Sequence, residues 1–408
     1  MAPKVLFLLK QRKNSWSYET TTEIQPTGVV STNFSSGLYN SARFVVDMLT
    51  KQGLEASLDH CIDGDFIDRL VTIKKPDFVI LEAYWVTPSK IEILCKLHPK
   101  ITWIIRNHSR MPFMACEGLI IDWSVRYVKN SKVFIASNTQ NTSSEIRYIF
   151  QASGLNKSES LSRSIYLPNY YSPKGATLSK HYERIKHHIL LNKVKEDKII
   201  NIGCFGAIRP LKNQLLQAVA AIKFAELNNL QLFFHINGGR VETKGDEPLK
   251  NMRLMFQSMT RHKLVEYDWM EHDTFLAVLR QMDILMQVSF TETFNIVTAD
   301  AINEGIPVLV SPEIFWVDET AHVDPTSSES MINRLETISR MTVMNFQIEL
   351  MKHRTKLIDY SQKSIRQWTK TLGIPFKFDE SSEEDITPIF PHFTGPVRTK
   401  RVSSKNGV

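Results

Sequence analysis

The sequence predicts an α/β protein built of two Rossmann-like, doubly wound halves that face a central cleft. Three observations carry this. Short apolar runs alternate with helical periods of about a dozen residues, which is the pattern of βαβ units and parallel sheets. The alternation weakens near 175–195 and then restarts. The chain has 408 residues, 42% hydrophobic and 23% charged, which excludes wholesale disorder. At roughly 150 residues per domain it can bury two to three cores.

The first half opens with the buried-strand run VLFLL at 5–9. A helix follows, with Leu38, Ala42, Val45, Val46 and Leu49 at helical spacing, Ser35 or Ser36 as cap and Gly53 as stop. Next come strand LEASLDHC, helix DFIDRLVTIKKP, strand DFVILEAYWV, helix SKIEILCKLHP and strand ITWIIRNHS. Strand KVFIASN and helix SEIRYIFQ end this half. The second half restarts with strand KIINIGCFGAI and helix NQLLQAVAAIKFAEL. Strand LQLFFHI, a turn at Gly238 and Gly239, and a helix come next. Strand HKLVEYD, helix HDTFLAVLRQM, strand DILMQV, a helix over 295–304 and strand IPVLVS complete the array. A long periodic segment from Val343 closes the fold. The predicted division is 1–180, 190–345, closing helices over 343–375 and a mobile tail over 376–408. That tail carries an acidic run at 379–385 and then Arg398, Lys400, Arg401 and Lys405.

Composition narrows the function classes. The net charge of +7 favours polyanionic partners such as nucleic acid, nucleotides or an anionic membrane surface. Cys61, Cys95, Cys116 and Cys204 lack CxxC spacing, so zinc ribbons and disulfide scaffolds are disfavoured and a reducing compartment fits. VLFLL is too short for a signal-peptide core, and no run of about 18 apolar residues occurs. The expectation is a soluble, cytoplasmic protein without a transmembrane segment.

Two motifs carry chemistry. In GCFGAIRPLKNQ a strand enters a turn at Gly206 and a helix is predicted to start near Lys212. Arg209 and Lys212 can face an anion held at that helix start, a planar fork beside a point charge. As ordinary surface residues of a helix start they would need no ligand. In SFTETFNIVTADAINEGIPVLVS, Glu292 and Asp300 stand eight residues apart. The loop between them offers backbone N–H groups to a phosphate, and the two carboxylates can accept hydroxyls of a sugar and of a ribose. Both acids could instead merely complement a helix dipole. Asp63-Gly64-Asp65 resembles a metal-binding DxD but lies far from these motifs and reads as a turn. Finally, His108 at the carboxyl edge of a parallel strand would point into the interdomain cleft.

On these residues the second half resembles the donor domain of GT-B glycosyltransferases of the retaining group-1, GT4-like kind. The matching run is Gly206 to Lys212, Asn237-Gly238-Gly239, Glu292-x7-Asp300 and Ala301 to Gly305-x-Pro307-Val308. The resemblance covers about 196–330 and extends loosely over 1–175, where the stretch around Gly37 looks like the first acceptor-domain loop. It implies a GT-B fold with an acceptor-binding first half and a nucleotide-sugar-binding second half. It implies that Arg209 and Lys212 neutralise a diphosphate and that Glu292 holds sugar hydroxyls. Phe294, Asn295 and Ile296 would offer backbone N–H groups, Asp300 would bind ribose, and Tyr267 to Trp269 would lie near the base. His108 would touch the transferred sugar, with Gly37, Arg106 and Arg110 on the acceptor side. No metal or other cofactor is implied beyond the nucleotide-diphosphate sugar. The chain departs from the pattern at Ala207, Thr293, Asn295 and Asp300, where Arg, Gly, Gly and Glu are usual.

For the acceptor, segment 101–175 holds nine basic residues against four acidic ones. That suits a phosphate backbone, and ETFNIVTADA resembles phage-type glycosyltransferases, some of which modify hydroxylated bases in DNA. The best reading is a hydroxymethyl pyrimidine in duplex DNA, flipped out for reaction, in a host cytoplasm if the chain is phage-encoded. A surface glycan or lipid-linked acceptor, a non-catalytic GT-B-like nucleotide or nucleic-acid binding subunit, and a nucleotide-sugar epimerase stay open.

Overall fold

A computed structural model describes residues 2–11, 37–173 and 198–375. The Ser35 or Ser36 cap, the boundary at 175–195, Lys174 and the tail over 376–408 lie outside these residues.

The first sheet holds β1 Lys4–Lys10, β2 Glu55–Cys61, β3 Phe78–Glu82, β4 Thr102–Asn107, β5 Val133–Ser137 and β6 Ser164–Tyr166. Their order is β2-β1-β3-β4-β5-β6, with all pairings parallel. The crossovers run through α1 Gly37–Lys51, α2 Phe66–Lys74, α3 Pro88–Leu97, α4 Met111–Met114, α5 Ile120–Tyr127, α6 Gln140–Ala152 and α7 Lys157–Arg163. Helices on both faces explain why β3 and β4 read as unbroken apolar runs rather than alternating ones. One group of buried residues, including Leu6, Leu81, Trp103 and Phe150, packs on one side of this sheet. Another, including Val5, Phe7, Val45 and Ile104, packs on the other.

The second sheet holds β7 Ile199–Gly203, β8 Gln231–Ile236, β9 Lys263–Glu266, β10 Ile284–Gln287 and β11 Val308–Val310. Its order is β11-β10-β7-β8-β9, again all parallel. Around it lie α8 Gln214–Leu227, α9 Asp246–Gln257, α10 His272–Leu279, α11 Ile296–Asn303 and α12 Ser328–Ser339. Its strand order reverses between β7 and β10, and a doubly wound sheet binds ligands at the carboxyl edge of such a switch point. Gly206 and Lys212 follow β7, and Glu292 follows β10.

The predicted helix start at Lys212 is corrected in detail. Pro210–Lys212 forms a single 3-10 turn, and α8 begins at Gln214 because Asn213 takes a left-handed conformation at φ 59°. The closing segment is one helix, α13 Val343–Leu372, ended by Gly373 at φ 70°. Its middle packs Leu357 and Tyr360 beside Phe294 and Trp316 of the second unit. Its end packs Ile365, Trp368 and Leu372 beside Phe7 and Val45 of the first. Trp368 is fully buried, so truncating it to Ala removes about 3–5 kcal/mol from the joint between the units.

Candidate active site

The carboxyl edges of the two sheets carry different charge clusters. On the first edge Glu82 ends β3, and Arg106 is its register partner on β4. Register partners of adjacent parallel strands point the same way, so carboxylate and guanidinium meet. Arg106 Nη1 donates to Glu82 Oε1 at 3.0 Å, with both side chains fully buried. Arg106 Nη2 donates to Asn169 Oδ1 at 2.6 Å and to the Pro168 carbonyl at 3.3 Å, and the guanidinium lies 5.3 Å over the Trp368 ring. The acceptor-binding role expected of Arg106 is therefore corrected. A buried charge must be paired, and this one makes its bonds through Nη1 and Nη2 inside the fold, leaving only Nε without a partner among the described residues.

His108 Nε2 meets the other oxygen, Glu82 Oε2, at 2.5 Å. Burial pushes the Glu82 pKa up, but the Arg106 and His108 beside it outweigh burial, and the carboxyl is held below its usual range. Burial also pushes His108 down, against the opposing pull of Glu82, so its pKa is lowered. The pair at neutral pH is an ionised carboxylate and a neutral imidazole. Arg110 Nη1 pairs with Glu313 of the second unit at 3.1 Å, a bridge across the cleft rather than a free acceptor contact. A second bridge runs from Asn138 Nδ2 to Thr293 Oγ1 at 3.0 Å.

On the second edge Gly206 has φ 113°, which only glycine adopts without strain, and its N–H donates to Asn237 Oδ1 at 2.9 Å. Lys212 pairs directly with Glu292. Ser289 Oγ and Asn295 Nδ2 also bond Glu292 Oε1, at 3.1 and 3.2 Å. Burial raises the Glu292 pKa, Lys212 and Arg209 outweigh it, and the result is a lowered value. Arg209 stacks 4.7 Å over Phe113 of the first unit, and its buried Nε has no partner among the described residues. Its guanidinium stands 3.7 Å from Glu242, a carboxylate already bonded by Arg240 at 2.6 and 2.9 Å. Arg240 in turn covers the Trp269 ring at 4.2 Å.

The loop before α11 carries Thr293 and Asn295 in place of the expected glycines. Asn295 sits at φ 62°, the left-handed conformation glycine would take and which Asn tolerates best among the rest. Its side chain accepts from Thr298 N at 2.9 Å and caps α11. The N–H groups of Phe294, Asn295 and Ile296 donate to no acceptor among the described residues. The Phe294 ring itself is core, stacked on Trp316 and Tyr360 at 5.1 Å. Asp300 is buried, and its Oδ1 accepts from Tyr171 Oη and meets His272 Nε2, each at 2.9 Å. Burial raises its pKa, with His272 opposing.

A cavity of about 450 Å³, its open mouth included, is lined by Gly37, Gly206, Trp269, His272, Ile296 and Asp300 among others. Gly37 thus lies against the second unit's residues rather than on a separate acceptor surface. Tyr267 is absent from the lining; its hydroxyl meets His235 Nδ1 at 3.1 Å and its ring stacks on that imidazole. Asp63 behaves as a turn residue, its Oδ1 accepting from the N–H groups of Asp65 and Phe66. Three site residues escaped the sequence reading: Glu82, Arg240 and His272. An acid ending the apolar strand DFVILE was the available signal for Glu82. Arg240 and His272 had none, since Arg240 reaches Trp269 and His272 reaches Asp300 only in the folded chain.

No family model matches the chain, and no curated protein matches it in sequence. Solved structures do match in shape. An α,α-trehalose-phosphate synthase (UDP-forming) from Burkholderia xenovorans, solved with glucose-6-phosphate, aligns at TM-score 0.59 and 10% identity, covering 90% of this chain and 100% of that one. Alr3699/HepE from Anabaena, solved with UDP-glucose, aligns at TM-score 0.54 and 12% identity over 90% and 100%. The N-terminal domain of a Candida albicans trehalose-6-phosphate phosphatase aligns at 0.60 and 9% over 91% and 97%. The likeness is one of fold: two Rossmann-like units about a cleft, the GT-B architecture. No helix among the described residues is long and apolar enough to cross a membrane.

Proposed function

We propose that this chain is a retaining glycosyltransferase that moves a sugar from a nucleotide-diphosphate sugar to a hydroxyl acceptor. The observation that carries the reading is the second edge. Arg209, with its buried Nε unpartnered, stands beside the Lys212–Glu292 pair and the undonated N–H groups that open α11. Such a cradle suits a diphosphate. The neighbours solved with UDP-glucose, or named UDP-forming, favour a uridine donor. Residues 1–180 then serve the acceptor, residues 190–345 the donor, and 343–375 ties them together.

In this scheme Lys212 turns from Glu292 to the diphosphate, and Glu292 takes sugar hydroxyls in its place. Asp300 with His272 meets the ribose, and Trp269, backed by Arg240, meets the base. The bond from the anomeric carbon to the diphosphate breaks and the leaving oxygen keeps the electron pair. The acceptor oxygen bonds the same face, and its proton passes to the leaving phosphate. Arg209 and Lys212 stabilise the charge that develops there. No resident metal or cofactor enters the scheme.

The finer reading, a hydroxymethyl pyrimidine in duplex DNA, rests on the basic segment and the phage-type resemblance. Much of that charge is engaged elsewhere. Arg106 is internal and Arg110 bridges to Glu313. Arg147 and Arg163 donate to the carbonyls of Ser164 and Ser131. Exposed Lys129 and Lys132 precede β5, at the amino edge, opposite the cleft. The test offers nucleotide-sugars with hydroxymethylated DNA, plain DNA and glycan acceptors, read by mass spectrometry. Transfer to one acceptor is expected. Lys212→Ala should lower it by at least roughly 10²-fold with the fold kept. An active Lys212→Ala enzyme overturns the donor site, and donor binding without turnover on any acceptor favours a non-catalytic subunit.

A further inference from the structure

Glu82, Arg106 and His108 form a chain of charge behind the cleft, and its geometry exceeds what stability alone would ask. A structural Glu82 needs only Arg106. Its second oxygen instead goes to His108, at 2.5 Å. The next residue, Ala83, is held at φ 69°, where alanine is rarely found, and its N–H donates to the Arg106 carbonyl at 3.0 Å. Backbone in such a conformation persists only where its surroundings over-determine it. Asn169, which takes one Arg106 bond, also accepts from Ser41 Oγ at 2.9 Å. Helix α1, strands β3 and β4, and Asn169 therefore fix one carboxylate. His108 is the member that reaches solvent, its side chain 15% exposed. Its Nδ1 makes no hydrogen bond among the described residues.

We propose that Glu82 is a positioning residue: it holds His108 as the Nε2–H tautomer, so that Nδ1 meets the cleft only as a hydrogen-bond acceptor for a hydroxyl. This rests on the glycosyl-transfer reading for the identity of that hydroxyl, on the transferred sugar or the acceptor. The tautomer follows from the partners alone. An ionised carboxylate accepts and cannot donate, so the ring nitrogen facing it must carry the proton. The lowered pKa of His108, set by burial against the pull of Glu82, keeps the ring neutral. Arg106 has donors only, so it also dictates which end of a substituted side chain faces the histidine.

Glu82→Gln tests this. Arg106 would hold the amide oxygen, the amide NH2 would face Nε2, and the His108 proton would move to Nδ1. In the full chain labelled with 15N-histidine, long-range proton–nitrogen correlation should show a protonated Nε2 in the wild type and a protonated Nδ1 in Glu82→Gln. Transfer should fall roughly 10²-fold in kcat, with the donor KM little changed. Glu82→Asp keeps the charge and should keep the wild-type tautomer and part of the activity. Glu82→Gln with the wild-type tautomer, or with the moved proton and wild-type kcat, overturns the proposal. If Glu82→Gln does not fold, the wild-type spectrum decides, because a protonated Nδ1 there overturns it too. The tautomer is read without substrate, so a failure of the glycosyl-transfer reading and a failure of this proposal are told apart.

Discussion

The two sheet edges that face each other across the cleft use similar residues to opposite ends. On the first, one guanidinium balances one carboxylate, both fully buried, with a neutral imidazole attached. On the second, around the Lys212–Glu292 pair, Arg209, Lys212 and Arg240 stand against Glu242 and Glu292, three cations to two anions, while Asp300 is held apart by Tyr171 and His272. The buried Nε lacks a partner in both clusters, on Arg106 and on Arg209, so the contrast rests on the balance of charge. A balanced cluster needs nothing further and serves to position its neighbours. A cluster one anion short is prepared for an anionic ligand. Breaking the first should therefore cost stability along with the placement of His108, and breaking the second should cost function with the fold kept.

The sharpest way to break this contrast is Arg106→Ala. It leaves Glu82 buried and unpaired, and such a loss costs about 3–5 kcal/mol. The expected outcome is a large drop in the urea midpoint, beside a smaller one for Lys212→Ala, where Ser289 and Asn295 still bond Glu292. If the two variants lose equal stability, the contrast fails.

Acid pH separates two acids of the second edge, Glu292 and Asp300. Glu292 is held below the ordinary carboxylate value of 4.5, so its contribution is complete above that pH and is lost as pH falls through the lower folded value. Asp300 is raised by burial, so its ionised form weakens the fold and its protonation restores stability on acidification. Urea unfolding from about pH 6 down to about pH 3 should show a gentler loss for Glu292→Gln than for wild type, and a steeper one for Asp300→Asn. Parallel curves for all three would refute the assigned directions.

Asn295 sharpens the comparison at the level of one residue. Its left-handed backbone and its cap on α11 are separable. Asn295→Gly and Asn295→Ala both lose the cap and the bonds to Glu292 and Gln287, but only the alanine strains φ, so it should be the less stable of the two by about 1–2 kcal/mol. Equal melting temperatures would mean the left-handed conformation matters little there.

These residues also mark how far the sequence could be read. Period and apolar runs were enough for the strands of both sheets, except β6, and for most helices, because buried parallel strands and amphipathic helices leave strong signatures. The three-residue β6 and the serine-rich α7 left none; β6 pairs only with β5 at the sheet edge. Lys212 and Glu292 meet because the segments after β7 and β10 come together at the switch point, whereas Asp300 lies inside α11 and is held by Tyr171 and His272. Arg106 misled for a physical reason. In the strand TWIIRN nearly every position is buried, so no alternation says which way a charge points, and its partner Glu82 is set by strand register, a tertiary fact. Asn295 misled the other way: a lost glycine looked like a lost conformation, yet Asn adopts it.

The smallest expected effect tests where the basic segment lies. Lys129 and Lys132 are exposed beyond the amino end of β5, while the cleft opens at the carboxyl ends. Charge on that rim is far from both clusters and screened over about 10 Å at ordinary salt. A double Lys129→Glu, Lys132→Glu variant should keep its stability to within about 0.5 kcal/mol and transfer to a small hydroxyl acceptor at the wild-type rate. If duplex DNA is the acceptor and this segment holds it, the same variant should instead lose transfer to DNA, and the salt dependence of DNA binding should flatten by about two counterions. Unchanged transfer to DNA would locate any phosphate contacts at the cleft, on the same side as Lys212 and His108.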